Sequence, residues 1–241
     1  MFNVIAPFYD ELMHAVPYDM WTEYLLLLLA QRDVRPKSIL DVCCGTGIVT
    51  QSLAAKGYEM AGVDLSAPMI VEAKRKAVEA DLQIHYLASD AATFDFGRKY
   101  ECAYSFFDSF NYITDLGHLK KAIENTARHL ESGAPFIFDL NTAYAFEAKM
   151  FDQQDTRKKT RVQYRWVGDY NSSTRIIEVA MKFWVDGKEY EEKHIQRAHT
   201  REEIDTMLLG AGFEQIEVFD SYTLDHPRKQ SDRVHFVCLK S

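Results

Sequence analysis

Cysteine, proline and glycine are all scarce in this sequence, which has four cysteines, six prolines and eleven glycines among its 241 residues. Cys43 and Cys44 are neighbours and the other two stand apart, so no Cys-x-x-C pair indicates a zinc site. Unpaired cysteines of this kind are typical of a reducing compartment, and we expect a cytoplasmic protein without a bound metal. Because no tract rich in proline, glycine or serine divides the chain, we predict a single domain over residues 1–241.

Long apolar runs and an excess of positive charge are also missing. The most lipid-like stretch, Leu25 to Ala30, lies between Glu23 and Arg32 and falls far short of the roughly 20 apolar residues of a membrane helix. No lysine or arginine precedes Arg32, so we expect no secretory signal. The formal net charge is -8, which disfavours binding to a phosphate backbone. We expect neither a membrane nor a nucleic-acid partner, and the sequence does not indicate an oligomeric state.

From Lys37 onward, short β-rich runs alternate with helical stretches, which is typical of a parallel sheet covered by helices. Ser66-Ala67-Pro68 supplies an N-cap with proline in the first helical turn. Another helix is predicted from Leu116 to Leu130. The five predicted strands are Ser38 to Cys43, Tyr58 to Asp64, Gln83 to Ala88, Glu101 to Phe107 and Pro135 to Leu140.

Different patterns flank this core. Two helices, Asn3 to His14 and Tyr18 to Gln31, precede it and could lie over the edge of the sheet. Residues 151–199 contain strand-like runs separated by turn signals, which predicts a small antiparallel β insertion. These runs are Arg161 to Tyr170, Thr174 to Trp184 and Tyr190 to His199, and they are followed by a helix, Arg201 to Leu209, and strands Phe213 to Phe219 and Arg233 to Leu239.

The first predicted strand runs into the turn Gly45-Thr46-Gly47, and a helix follows. Glycines in this position let the backbone approach a ligand at the carboxyl end of a sheet. The dinucleotide fingerprint requires a third glycine where this chain has Thr50, so a ligand without phosphates fits better.

Acidic residues follow the next two strands. Asp64 ends the second strand, where a carboxylate can accept hydrogen bonds from both hydroxyls of a ribose. Asp90 follows the third strand, where it could accept from the exocyclic amine of an adenine. The alternative is that Asp41, Asp64 and Asp90 only cap the turns or helices after their strands.

The segment Asp41 to Gly47 resembles the first motif of the class I S-adenosylmethionine-dependent methyltransferases, which reads acid, apolar, variable, Cys or Gly, Gly, Thr, Gly. The resemblance implies an α/β fold: a doubly wound, Rossmann-like sheet of seven strands with the last strand antiparallel, N-terminal lid helices and the small β insertion. It also implies S-adenosylmethionine as cofactor across the carboxyl ends of the first four strands. The resemblance extends over Val63 to Ser66, Ser89 to Ala91, Phe136 to Asp139 and Arg201 to Phe213.

The resemblance assigns cofactor contacts position by position. It places the glycines at the amino-acid part, Asp64 at the ribose and Asp90 at the adenine amine. The leading segments Ala6 to Asp10 and Val16 to Trp21 resemble bacterial small-molecule or uncharacterised members, which implies that residues 1–35 close over the cofactor; the alternative is a buried helix face. The expected cofactor-binding residues are Tyr18, Trp21, Asp41, Cys43, Cys44, Gly45, Thr46, Gly47, Asp64, Leu65, Met69, Asp90, Ala91, Phe106 and Phe107.

A sulfonium carbon is already activated, so methyl transfer needs alignment, exclusion of water and removal of one proton. Covalent catalysis by Cys43 or Cys44 is therefore not required, and the preferred interpretation is that both thiols pack or form part of the cofactor wall. The segment Phe106 to Tyr112 should adjoin the methyl group, where Asp108 could orient or deprotonate an acceptor; a turn carboxylate is its alternative.

The insertion supplies two further candidates. Strand alternation puts His194 and Gln196 on one face and Arg197 and His199 on the other, so only one set can face the cleft. If the insertion covers the active site, His194 or Arg197 contacts the substrate; otherwise this is a solvated strand face. Asp108, His194 and Arg197 are thus the catalytic candidates.

We predict a methyltransferase that acts on oxygen or nitrogen of a small molecule by direct displacement. Asp108 with Asp139 and Asn141 resembles the acids of magnesium-dependent catechol-type enzymes, but Leu140 separates the last two, so no metal is expected. The alternatives are RNA or protein methylation through the basic run 157–161, a non-catalytic S-adenosylmethionine-binding module, and a nicotinamide oxidoreductase.

Overall fold

The computed structural model describes residues 4–157 and 160–241. The first predicted helix begins outside these residues, and its described part is a 3-10 turn, Ala6–Phe8, followed by the single-turn helix α1, Tyr9–Leu12. The second is confirmed as α2, Tyr18–Ala30, which starts directly after Pro17.

Five parallel strands follow. They are β1 (Ser38–Val42), β2 (Glu59–Asp64), β3 (His85–Ala88), β4 (Cys102–Ser105) and β5 (Pro135–Asn141). Every residue of β1, β4 and β5 is buried, as expected of parallel strands covered on both faces. β1 ends before Cys43 because that residue turns into the left-handed region, with φ +67°.

Helices connect these strands across the faces of the sheet. They are α3 (Ile48–Ala55), α4 (Ala67–Glu79) and α5 (Leu116–Arg128). The predicted N-cap of α4 is confirmed, since the side chain of Ser66 accepts a hydrogen bond from Met69 N. Asp115 caps α5 in the same way.

The segment after β5 forms a separate antiparallel sheet. Helix α6 (Ala143–Glu147) leads into β6 (Gln153–Asp155), β7 (Val162–Asn171), β8 (Ile176–Val185) and β9 (Lys188–Arg197), which pair in that order. We call β6 to β9 the roof sheet. Burial alternates along β8, so this sheet has one covered apolar face and one exposed face.

The chain then returns to the main sheet through α7 (Arg201–Gly210), β10 (Phe213–Asp220) and β11 (Arg233–Lys240). Within the described residues, the main sheet has seven strands in the order β10-β11-β5-β4-β1-β2-β3. β11 runs antiparallel to both of its neighbours. The predicted α/β fold class, with its antiparallel last strand and its β insertion, is confirmed.

The N-terminal segment packs against the roof sheet as well as against the main sheet. Ile5, Leu12 and Met13 pack in one apolar cluster with Val179 and Phe183 of β8. The main sheet and the helices form the larger clusters on its two faces. Among the helices of residues 4–157 and 160–241, none combines the length and apolar character that crossing a bilayer requires.

Candidate active site

A cavity of about 780 Å³ opens at the carboxyl ends of β1, β2 and β4 and continues beneath the roof sheet. This volume lies within the range of small-molecule sites, roughly 300–1,000 Å³. Gly47 is the one expected cofactor residue that does not line it. The others all do: Tyr18, Trp21, Asp41, Cys43, Cys44, Gly45, Thr46, Asp64, Leu65, Met69, Asp90, Ala91, Phe106 and Phe107.

The two glycines of the β1 turn meet different requirements. Gly45 has φ +55°, and a Cβ there would meet no atom within 4 Å, so its backbone is open to a ligand. Gly47 has φ +74°, and a Cβ there would lie 2.3 Å from Tyr86 Oη. Packing against Tyr86 and the left-handed conformation therefore explain Gly47 without a ligand.

Asp64 holds the glycine turn and lines the cavity with the same carboxylate. Gly45 N donates to Oδ2 and Ser66 N donates to Oδ1, both at 2.8 Å. Burial raises the pKa of Asp64 above its usual value. Asp64 thus caps the turn after its strand, as the alternative interpretation of this residue predicts. Each carboxylate oxygen nevertheless keeps a further lone pair that a ligand could use.

Asp41 lies buried beneath the turn. Its Oδ2 accepts from Thr50 Oγ1 at 2.5 Å and from Tyr104 Oη at 2.6 Å. Burial raises the pKa of Asp41 to about 7. These bonds tie the end of β1 to α3 and β4, so Asp41 fixes the position of the turn.

Asp90 is similarly engaged. Its Oδ1 accepts from Ala92 N at 2.8 Å, and both its oxygens lie 3.0 Å from His118 Nε2.

The thiols of Cys43 and Cys44 have pKa values raised well above the usual range by burial, so both stay protonated. This agrees with packing rather than nucleophilic chemistry.

The aromatic residues of α2 both pack and line the cavity. The rings of Tyr18 and Trp21 are 5.0 Å apart, and Trp21 stacks on Tyr222 at 5.6 Å and approaches Phe107 at 4.9 Å. Tyr18 and Trp21 therefore line the cavity, as cofactor contacts would, and they also pack against other rings, as a buried helix face would.

Asp10 of α1 reaches the glycine turn from the N-terminal segment. Its carboxylate accepts from Thr46 Oγ1 and pairs with Lys76 of α4. We call these two bonds the Asp10 latch. No motif in the sequence signalled this contact across 36 residues of chain.

The segment after β4 is backbone-strained. Phe107 and Asp108 both adopt left-handed conformations, with φ +68° and +49°, at a cost of order 1–3 kcal/mol each. Asp108 N donates to Asp139 Oδ1 at 3.0 Å. Arg233 Nη2 and Gln196 Nε2 donate to the two carboxylate oxygens of Asp108 at 2.8 and 2.7 Å. Asp108 lines the cavity, but this geometry favours a positioning role over that of a proton acceptor.

Arg233 also pairs with Asp139. The positive charge that a metal would supply between Asp108 and Asp139 is thus supplied by a buried guanidinium. The donor set around these acids does not fit a magnesium ion, whose ligands are oxygens.

β9 brings His194 to the cavity and leaves Arg197 outside it. His194 Nδ1 lies 3.1 Å from Tyr112 Oη, and Nε2 lies 2.8 Å from Glu192 Oε2. The guanidinium of Arg197 donates to Glu203 Oε1 at 3.0 Å, in the first turn of α7. Of the two alternatives on β9, His194 lines the cavity, and Arg197 lies on the opposite face of the strand and does not line it.

Three further residues belong to this site: Tyr112 and Arg233 line the cavity, and Glu192 bonds to His194. The sequence analysis placed Tyr112 only within a segment beside the methyl group and gave Glu192 and Arg233 no role. The alternation that placed His194 and Gln196 on one face also puts Glu192 there, so that signal was available. Arg233 gave no such signal, because its partners lie far away in the chain, Asp108 by 125 residues and Asp139 by 94. Of the basic run 157–161, residues 158 and 159 lie outside the described residues, and Arg157 and Arg161 pair with Asp155 and Asp186.

Comparison with known proteins agrees with this geometry. Residues 39–133 match the family model described as a methyltransferase domain. The chain is 29% identical to "Putative methyltransferase YqeM" of Bacillus subtilis over 100% of this chain and 98% of that protein. It is 28% identical over 86% of its length to dTDP-3-amino-3,6-dideoxy-alpha-D-glucopyranose N,N-dimethyltransferase of Streptomyces fradiae, covering 83% of that protein.

A solved structure of an S-adenosylmethionine-dependent methyltransferase from Clostridium acetobutylicum superposes with a TM-score of 0.87 at 28% identity, covering 100% of this chain and 99% of that one. Together, the fold, the glycine turn with its two acids and these matches define the class. The chain is a class I S-adenosylmethionine-dependent methyltransferase.

Proposed function

We propose that the chain transfers a methyl group from S-adenosylmethionine to oxygen or nitrogen of a small molecule. The observation that carries this proposal is the continuity of the cavity. One end lies at Asp64 and Gly45, and the other lies beneath the roof sheet at His194. A cofactor and an acceptor can therefore meet in one continuous cavity, as direct displacement requires.

The residues at the first end fit the cofactor. The open backbone at Gly45 and the lone pairs of Asp64 suit an uncharged ribose, and Asp90 offers an acceptor for an amine. Leu65 and Met69 would flank the adenine, and the expected cofactor residues that line the cavity are proposed as its contacts. When bound, the sulfonium group supplies the methyl group.

The chain's own contribution is to align the acceptor, exclude water and accept a proton. Phe106, Phe107 and Trp21 line the cavity, and aromatic rings favour a cation. Residues of the N-terminal segment and of the roof sheet line the cavity and pack against each other. We propose His194 as the group that receives the acceptor's proton, with Asp108 holding the segment between the two ends of the cavity.

We also propose the domain organisation expected from the sequence: one domain, with residues 1–35 as a lid and residues 151–199 as an insertion over the active site. The sugar methyltransferase of S. fradiae supports a small-molecule acceptor by similarity. The location in the cytoplasm stays a prediction, consistent with free thiols at all four cysteines.

Titration calorimetry with S-adenosylhomocysteine tests the cofactor, with NAD⁺ as the contrasting ligand. We expect one-to-one binding of S-adenosylhomocysteine and no heat from NAD⁺. No binding at high micromolar ligand would overturn the proposal. Catalysis is tested by mass spectrometry of S-adenosylhomocysteine formed from S-adenosylmethionine with a panel of small hydroxyl and amine compounds. A module that only binds the cofactor would form none with any of them.

A further inference from the structure

The end of the cavity beneath the roof sheet is lined mainly by apolar and aromatic side chains. We call this end the acceptor pocket; its lining residues from the roof sheet are Tyr164, Trp166, Val179, Met181, Phe183 and His194. Such side chains bind the apolar body of a ligand, and the faces of aromatic rings attract a cation. The acceptor pocket therefore suits a ligand with an apolar body, and it favours a positive charge over a negative one.

Positive charge is scarce in the lining of the cavity. Among the described residues that line it, Arg233 is the only lysine or arginine. Its guanidinium donates to Asp108 Oδ1 at 2.8 Å and also pairs with Asp139. The two carboxylates outnumber the single guanidinium, so Arg233 has no charge left to balance a phosphate or a carboxylate on the acceptor.

Asp232 adds a third carboxylate next to these side chains. It directly precedes Arg233, lines the cavity and is partly buried. Over the part of the chain that the structure describes, its carboxylate forms no hydrogen bond or ion pair. Its backbone is held in place, because Asp232 O accepts from Thr142 N at 2.9 Å and Ser231 O accepts from Thr142 Oγ1 at 2.6 Å. Asp232 thus offers an unpaired carboxylate on a fixed backbone.

The contacts of Thr142 place Asp232 beside the acceptor pocket. Thr142 is the N-cap of α6. Ala145, in the first turn of this helix, lines the cavity and packs in one apolar cluster with Val179 and Phe183 of the roof sheet. An unpaired carboxylate and a surface for an apolar body therefore lie next to each other.

The sign of this charge distinguishes between oxygen and nitrogen as the methylated atom. A hydroxyl becomes a strong nucleophile by losing its proton, and an oxyanion beside an unpaired carboxylate is unfavourable. A neutral amine attacks with its own lone pair, and the positive charge of the sulfonium passes to its nitrogen. A carboxylate beside that nitrogen stabilises the charge as it develops. The acceptor pocket therefore favours nitrogen.

We propose that the acceptor is an amine on an apolar body, that the body lies beneath the roof sheet, and that Asp232 binds the nitrogen when it carries a positive charge. This inference rests on the proposed function and names the substrate class of the same cavity. It assigns Asp232 as a specificity-determining residue, a role that the sequence analysis did not give it.

The step balances without a further reactant. The bound ammonium group first loses one proton, which passes to water or to the proton acceptor proposed above. The lone pair of the neutral amine then forms the bond to the methyl carbon. The carbon–sulfur bond of the donor breaks, and its electron pair stays on sulfur as a neutral thioether. The product nitrogen again carries one positive charge beside Asp232.

Ligands that share a body and differ in the polar group test the preference for an amine. Binding to the whole protein saturated with S-adenosylhomocysteine is measured for 2-phenylethylamine, 2-phenylethanol and 3-phenylpropanoate, and for tryptamine, tryptophol and indole-3-propanoate. For at least one body, we expect the amine to bind at least tenfold more tightly than the alcohol, and the carboxylate to bind more weakly than both.

Asp232→Asn tests the assigned residue, because it removes the charge and keeps the size of the side chain. It should bring the affinity for the amine within threefold of that for the alcohol. The affinities for the alcohol and for S-adenosylhomocysteine should stay within twofold of wild type, which shows that the cavity is intact. The matched control is Asp225→Asn, which neutralises an exposed carboxylate of the same segment before β11 and should keep the preference for the amine.

Turnover is measured by mass spectrometry of the N-methylated product formed from the amine that binds and S-adenosylmethionine. Asp232→Asn should lower kcat/KM for this amine at least tenfold, and Asp225→Asn should keep the wild-type value. The alcohol of the same body should be methylated at least tenfold more slowly than the amine.

The outcomes separate the two proposals. Binding of S-adenosylhomocysteine with no preference for either amine over its alcohol, or faster methylation of the alcohol, would overturn the amine acceptor. An Asp232→Asn protein that keeps the wild-type preference and kcat/KM would overturn the assignment of Asp232. If S-adenosylhomocysteine itself fails to bind, it is the proposed function that falls.

Discussion

Asp64 holds the glycine turn, and we propose that the same side chain binds the ribose. Its two oxygens already accept from Gly45 N and Ser66 N, and the ribose would use the remaining lone pairs. We predict that Asp64→Ala raises the Kd for S-adenosylhomocysteine about tenfold to hundredfold, because about 1–3 kcal/mol is lost when hydroxyls are left unpaired. Titration calorimetry measures this change.

The control for Asp64 must separate lost contacts from a displaced turn. Asp169→Ala removes an exposed carboxylate of β7 and should leave the affinity unchanged. Circular dichroism and the unfolding midpoint of Asp64→Ala show whether the turn still forms. A folded Asp64→Ala protein with wild-type affinity would refute the ribose assignment.

At the level of single residues, the sequence predicted where the acidic side chains lie but not which side chains form hydrogen bonds with them. The end of a strand is a local feature, so Asp64 and Asp90 were found. Tyr104 bonding to Asp41, and Arg233 bonding to Asp108, depend on which strands become neighbours in the sheet. No short segment of the sequence specifies the strand order β11-β5-β4-β1, so these contacts could not be predicted.

At the level of elements, the Asp10 latch ties the short helix α1 to both the glycine turn and α4. Helix α1 is a single turn and cannot be stable alone. We predict that Asp10→Ala increases hydrogen exchange of residues 5–13 at least tenfold. It should also raise the dissociation rate of S-adenosylhomocysteine, because the segment that we propose as the lid loosens. Exchange mass spectrometry and stopped-flow displacement measure the two effects.

Glu11→Ala is the matched control for the latch. Glu11 is the next residue along, and its carboxylate pairs with Arg161 at the exposed edge of the roof sheet. An exposed pair of this kind contributes little, so ligand dissociation should stay near the wild-type rate. Equal effects of the two substitutions would argue against a specific role for Asp10.

Elements with a clear period were predicted, and two short elements after β5 were not. The long strands of the roof sheet were found because hydrophobic residues alternate over ten positions in β8. Helix α6 and strand β6 have five and three residues, which is too few for a period to be visible. The predicted helix near the N-terminus was longer than the described α1, because Pro7 lies in a 3-10 turn instead.

At the scale of the whole molecule, buried polar side chains join the roof sheet to the main sheet. Asn111 Nδ2 donates to the carbonyls of Asn141 in β5 and Arg197 in β9, at 3.0 and 2.8 Å. Gln196 of β9 donates to Asp108 at 2.7 Å. Because these groups would be costly to leave unpaired, the two sheets should unfold in one cooperative transition.

His235 of β11 lies in the same interior, enclosed by the rings of Tyr24, Phe106 and Tyr222. It is fully buried, and neither ring nitrogen has a hydrogen-bond partner among the described residues. Burial lowers the pKa of His235 from 6.5 to about 3. The folded protein therefore holds this imidazole neutral at pH values where the unfolded chain would protonate it.

Since the unfolded state binds the extra proton, the free energy of unfolding should fall as the pH drops below 6.5, by about 1.4 kcal/mol per pH unit from this group. We predict that His235→Phe removes about 2 kcal/mol of the loss between pH 7 and pH 5. Urea denaturation at both pH values measures it. Asp41 acts in the opposite direction, because its pKa is raised, but it is common to both proteins and cancels. His226→Phe, at an exposed site, is the control, and an equal pH dependence in wild type and His235→Phe would show that His235 is not held neutral by burial.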